Sequence, residues 1–304
     1  SQISFVNAAS PVNFTHTAGQ TNIKGSLTAN DINCGNTTIA GNVTAKKITI
    51  AENSIDGTIT GTEITLGKTK LNGNITGTDV EIGDVELNGS IIGNNITLAE
   101  INVVENSELK INEAATDGKI TLKGNVISTG SKNLTLNGNV EIPTTSTSQL
   151  EINLNDGILK TKDIKSESSL SIKAKTQTFG GEIFVAKDFT SEGETFTFAD
   201  KVTVNQNAQI QNTGLLKISD FVYGKSFVQD GIGQVMISGS FEQSGESGAS
   251  EKPPATFDSN VYYYNSSQNL SPITIGSDKS YIEIKENLII AKSKENDVAI
   301  KGTV

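Results

Sequence analysis

Between Asn22 and Ala99 the chain repeats itself every sixteen residues. Gly25, Gly41, Gly57, Gly73 and Gly89 mark the period. Ile23, Ile39, Ile55, Leu71 and Leu87 stand two residues before them, and Leu27, Val43, Ile59, Ile75 and Ile91 two residues after. Ile32, Ile48, Ile64, Val80 and Ile96 follow, and then Cys34, Ile50, Leu66, Ile82 and Leu98. A fixed period of this length signals a stack of like structural units, each burying its apolar side against the next.

Within each block apolar and polar residues alternate, which is the periodicity of a strand. The apolar set is odd at Ile23 and Leu27, even at Ile32 and Cys34, and odd again at Ile39. A straight strand cannot change parity, so each change requires a corner. Two corners per block predict a closed coil with two main walls. Coils stack in parallel at roughly 4.8 Å, which makes the fold all-β, a parallel β-helix. It is expected to be right-handed, because parallel crossovers have that hand. The mid-block glycines, with Ala29, Ala45, Gly61, Gly77 and Gly93 after them, are expected to leave room for a bulkier opposite wall. The other reading is that they mark bulges. The corners Asn30-Asp31, Lys46-Lys47, Thr62-Glu63, Thr78-Asp79 and Asn94-Asn95 are polar, as turns require.

Beyond Ala99 the register breaks, with Glu105 where glycine is due. Ile101, Val103, Leu109 and Ile111 still alternate, which predicts continued walls and a longer corner near Glu113 to Asp117. From Leu150 to Ile218 strand-like pairs recur at irregular spacing, with phenylalanine among them. Wider coils with phenylalanine ladders are expected there. All five tyrosines lie beyond Phe221, and Gln243 to Pro254 reads as a long exposed loop. The predicted plan is an N-terminal cap over 1–21, where Phe5 and Phe14 are cap candidates. Coils over 22–220 follow, strict at 22–99 and wider after. Aromatic-bearing final coils, the long loop and a C-terminal cap occupy 221–304.

The net charge is −10 and every cation is lysine, which disfavours nucleic acid or an anionic membrane as partner. No apolar run is long enough for a membrane helix. The lone Cys34 falls on the inward set, so no disulfide framework is expected. No signal peptide is visible, and the chain reads as a segment of a longer protein, acting as a monomer. β-Solenoids include pectin and pectate hydrolases and lyases. Their chemistry needs clustered carboxylates with histidine, or a base beside calcium. Here there is one histidine, His16, and no adjacent pair of aspartates. An enzyme would need a carboxylate pair formed in space, such as Asp188 and Asp200. No catalysis, metal or cofactor is expected. The Asp230-Gly231-Ile232-Gly233 stretch is a partial echo of a calcium coil that a turn explains as well.

The aromatic residues are the functional lead. Tyr223, Phe257, Tyr262, Tyr263 and Tyr264 are the candidate ligand-binding residues, since aromatic rings stack on sugars. In a strand Tyr262 and Tyr264 face one way and Tyr263 the other. The competing reading is that the tyrosines seal the side or end of the solenoid.

The stretch from Ile23 to Leu98 resembles surface-exposed β-helical adhesins of bacteria, of the haemagglutinin and autotransporter-passenger kinds. Its rhythm, as in Leu71-Asn72-Gly73-Asn74-Ile75, is also similar to that of bactofilins, which polymerise but lack an aromatic-bearing second half. The overall plan resembles the tāpirins, cell-surface proteins of cellulose-degrading bacteria whose β-helical part binds cellulose without cleaving it. The resemblance implies an extracellular, non-catalytic adhesin for an insoluble polysaccharide or a host or plant cell surface. The alternatives are a passenger stalk of a secreted adhesin and a polysaccharide-active enzyme.

Overall fold

The computed structural model describes residues 12–144, 149–244, 255–264, 273–275, 282–291 and 298–300. They contain strands and turns and no helix. The chain is a parallel β-solenoid, and it divides into two compact units, 1–141 and 142–304. The change of composition near residue 220 falls within the second unit. Phe5 and most of the Gln243–Pro254 loop lie outside the described residues.

In the first unit the repeat becomes a pairing register. Val43, Ile59, Ile75 and Ile91 align, as do Ile48, Ile64, Val80 and Ile96. So do Ile39, Ile55, Leu71, Leu87 and Val103. Each set is fully buried, and each fully buried aliphatic contributes about 1.5–3 kcal/mol. Pairing starts upstream of the visible repeat, with Phe14 opposite Ile32.

The coil has three walls rather than the expected two. In the strand Asn42–Ile55 the buried residues are Val43 and Ala45, then Ile48 and Ile50, then Asn53 and Ile55. Parity changes at Lys46-Lys47 and again at Ala51-Glu52. The third corner, Asp56-Gly57, keeps parity and so leaves no trace in the alternation. The glycine column sits at that corner. A Cβ on Gly57 would land on the carbonyl oxygen of Gly41, and one on Gly73 on that of Gly57. These glycines let one coil's backbone lie directly on the next; they do not accommodate an opposite wall. The packing role belongs to the second small-residue column. There a Cβ on Gly77 would meet Val80 Cγ2 at 2.8 Å and Ile64 Cδ1 at 3.0 Å.

Polar corners are tied from coil to coil. Asn72 Nδ2 donates to Asp56 Oδ1 at 2.8 Å, and Asn95 Nδ2 to Asp79 Oδ1 at 2.8 Å. Past Ala99 the walls continue: Ile91 pairs Leu109, Ile96 pairs Ile120 and Ile101 pairs Val126. The added residues form the expected longer corner, turns over 113–117.

The second unit repeats the three-walled plan in wider coils. Leu170, Phe189, Ala208 and Phe227 align at intervals of nineteen residues, and so do Ile164, Ile183, Val202 and Phe221. Those two columns keep a constant interval; elsewhere the spacing is irregular, as the sequence suggests, with Ile158 opposite Thr176, Leu150 opposite Leu170, and, in the still longer final coils, Val235 opposite Val261 and Phe227 opposite Ala255. Phenylalanines fill the larger lumen. Phe179 stacks on Phe198 with centroids 5.0 Å apart, and Phe227 meets Phe241 edge-on at 4.8 Å. Buried amides fasten the corners: Gln229 Nε2 donates to Asn212 Oδ1, and Gln229 Oε1 accepts from the Asp258 backbone and Ser259.

Candidate functional site

The final coils of the second unit hold the predicted aromatic residues, and strand parity sorts them. Tyr223 points inward against Phe227 and Phe241, with centroids at 6.1 and 5.3 Å, and is fully buried. Phe257 packs on the same two rings and is buried as well. In the strand Val261–Tyr264, Val261 and Tyr263 point inward and Tyr262 outward. Tyr263 is sealed in, its hydroxyl donating to the Gly239 carbonyl oxygen. Burial pushes its phenol pKa well above the ordinary value, and the charge of Asp220 adds to the rise.

Three of the expected binding residues, Tyr223, Tyr263 and Phe257, are thus core, because a lumen this wide needs rings to fill it. They cannot meet a ligand. The side chain of Tyr264 lies outside the described residues. Tyr262 is the one expected binding residue that the structure places at the surface, where it is partly exposed.

Tyr262 belongs to an outward column. Register puts Met236 opposite Tyr262, and Tyr262 opposite Ile289. Met236 is 36% exposed and Ile289 42%. Earlier coils fill the same column with Thr178, Thr197 and Lys217, so the face turns from polar to apolar along the stack. Neighbouring coils lie roughly 4.8 Å apart, which makes the three side chains one continuous strip. Beside it Asn287 Nδ2 donates to Asn260 Oδ1 at 2.9 Å, a short amide ladder. The turn leading into the Met236 strand carries Ile232, 88% exposed. Large contiguous apolar surfaces are uncommon on soluble proteins, which makes this strip the candidate contact face. Composition does not flag Met236 or Ile289. The strand pairing of the final coils does, by fixing which positions of the wall face out.

Among the described residues no group of three or more histidine, cysteine or carboxylate side chains is placed to hold a metal ion. Asp230 ends the strand Ser226–Asp230, and Gly231 to Gly233 form a bend. Asp188 accepts from the Asn207 backbone and side chain at 3.1 and 2.8 Å, and Asp200 from the Lys201 backbone at 2.8 Å, so each is engaged locally. His16 is exposed, its Nδ1 2.8 Å from Thr21 Oγ1. Cys34 is buried, and burial raises its thiol pKa. Among the described residues no helix is long and apolar enough to cross a membrane.

The stacked walls place the chain among parallel β-solenoids. No family model, curated protein or solved structure matches it.

Proposed function

We propose that this chain is a non-catalytic bacterial cell-surface adhesin that binds an insoluble polysaccharide such as cellulose. The observation that carries the reading is the outward strip Met236–Tyr262–Ile289. A flat apolar strip flanked by amides suits the face of a packed glycan, whose ring C–H groups lie on apolar atoms while its hydroxyls meet Asn260 and Asn287. The binding face is thereby moved from the tyrosine cluster as a whole to Tyr262 and its column. The stacked-coil architecture agrees with the resemblance to surface adhesins and tāpirins.

The burial of Tyr223, Phe257 and Tyr263 favours a second reading, in which the aromatics serve only the lumen and the chain is a passenger stalk with its binding site elsewhere. Depletion of the protein from solution by crystalline cellulose separates the two. The adhesin reading expects depletion that falls roughly tenfold in affinity when Tyr262 and Ile289 are both alanine. No depletion, or depletion indifferent to the double substitution, overturns it.

A further inference from the structure

The third wall of the first unit carries a second, different face. Outward side chains there form two parallel columns. One runs Asn36, Glu52, Lys68, Asp84, Glu100, and the other Thr38, Ser54, Lys70, Glu86, Asn102, Ile127. Residues of these columns line a groove of about 530 Å³, within the size range of ligand sites.

The groove's polar groups are not spent on one another. Glu52, Lys68, Lys70, Asp84, Glu86 and Glu100 are exposed, and none makes an ion pair among the described residues, although other lysines and carboxylates of this unit do. The Asn102 side chain lines the groove, and its Oδ1 is buried with no hydrogen-bond partner. Asn53 also lines the groove, and both polar atoms of its amide are likewise buried and unpartnered. Unsatisfied buried polar atoms are rare in native proteins and call for an explanation.

The ligand chemistry follows from the mixture. An anion would meet four carboxylates, Glu52, Asp84, Glu86 and Glu100, against two lysines. A polycation would leave both lysines unused. A hydroxyl both donates and accepts, so it can pair with a carboxylate on one coil and an ammonium or amide on the next. Ile127, 46% exposed at the far end, offers an apolar contact for the C–H face of a ring. We infer that this groove binds an uncharged, linear oligosaccharide laid along the stack of coils. The site is separate from the strip on the second unit and takes a single glycan chain rather than a packed surface.

The test is titration of the full chain, by calorimetry, with cellohexaose, xylohexaose, mannohexaose, laminarihexaose and, as a charged probe, an oligogalacturonate. At least one neutral probe is expected to bind saturably. That affinity should fall roughly tenfold in the K70A/E86A double variant and stay unchanged in the Tyr262→Ala/Ile289→Ala variant. The groove substitutions are at exposed positions, and an unchanged melting midpoint shows that the fold is kept. Asn102→Leu, which removes the amide, is a third variant expected to weaken binding. The inference is overturned if no neutral probe binds at millimolar concentration, if the groove variants bind as tightly as the parent, or if binding is lost with Tyr262 and Ile289. Tighter binding of the oligogalacturonate than of every neutral probe overturns the uncharged assignment. Cellulose depletion depends on the other variant pair, so the two proposals fail independently.

Discussion

Tyr263 shows how a side chain suited to recognition becomes structural. One residue of register separates it from Tyr262, and that residue decides which ring meets solvent and which meets Gly239. Its hydroxyl is neutral in the fold and its pKa is raised, whereas in the unfolded chain it ionises near the ordinary value of 10.0. The unfolded state therefore releases a proton first as pH rises, and stability is full below pH 10 and declines above it. Melting midpoints recorded from neutral pH to pH 11 should fall in the alkaline range, and less steeply in Tyr263→Phe. At neutral pH the same variant should lose about 1–2 kcal/mol, because the Gly239 carbonyl is left buried without its donor. Equal alkaline slopes in the two proteins would show that this phenol does not carry the effect.

The corner columns behave as elements in their own right. Gly41, Gly57 and Gly73 form a seam in which each backbone rests on the carbonyl beneath it. Gly73→Ala puts a methyl group into that contact and should cost about 3 kcal/mol, read as a lower urea midpoint. Lys70→Ala, exposed in the same coil, should change stability by less than about 0.5 kcal/mol. A Gly73→Ala protein as stable as the parent would mean that the seam relaxes freely.

The coil itself was readable from the sequence, because buried aliphatics at Ile48, Ile64 and Val80 recur in phase. The third corner was not readable, since Asp56-Gly57 turns the chain without altering which parity faces in. The alignment of the second unit's coils was obscured for a different reason. Its inward positions tolerate Leu, Phe and Ala in turn, as Leu170, Phe189, Ala208 and Phe227 show, so side-chain size varies along each column while alignment holds. The aromatic lead was half legible: clustering pointed to the final coils, but composition cannot tell a ring that fills a lumen from one that faces outward. The groove on the first unit left no signal, because its polar residues look like ordinary solvated positions until register brings them side by side.

For the molecule as a whole, stability should be close to a sum over coils and their contacts, as in other stacked repeats. Deleting residues 58–73 removes one coil and joins Gly57 to Asn74, the register partner of Thr58. That protein should fold, with a strand-type circular dichroism spectrum and a cooperative melt. Deleting 59–73 instead removes one residue fewer and reverses the inward and outward sets of everything that follows until a corner absorbs the slip. It should be recovered mainly as aggregate. Similar solubility of the two deletions would show that the corners correct phase easily.

The three-walled coil therefore imposes something like a reading frame on its own evolution. Whole coils can be gained or lost without disturbing their neighbours, so the first unit's groove can lengthen or shorten by one rung at a time. Partial coils turn the molecule inside out. Variation in reach is open to such a chain, while variation in phase is closed except at corners such as 112–118, where added residues already leave the stack and return to it in step.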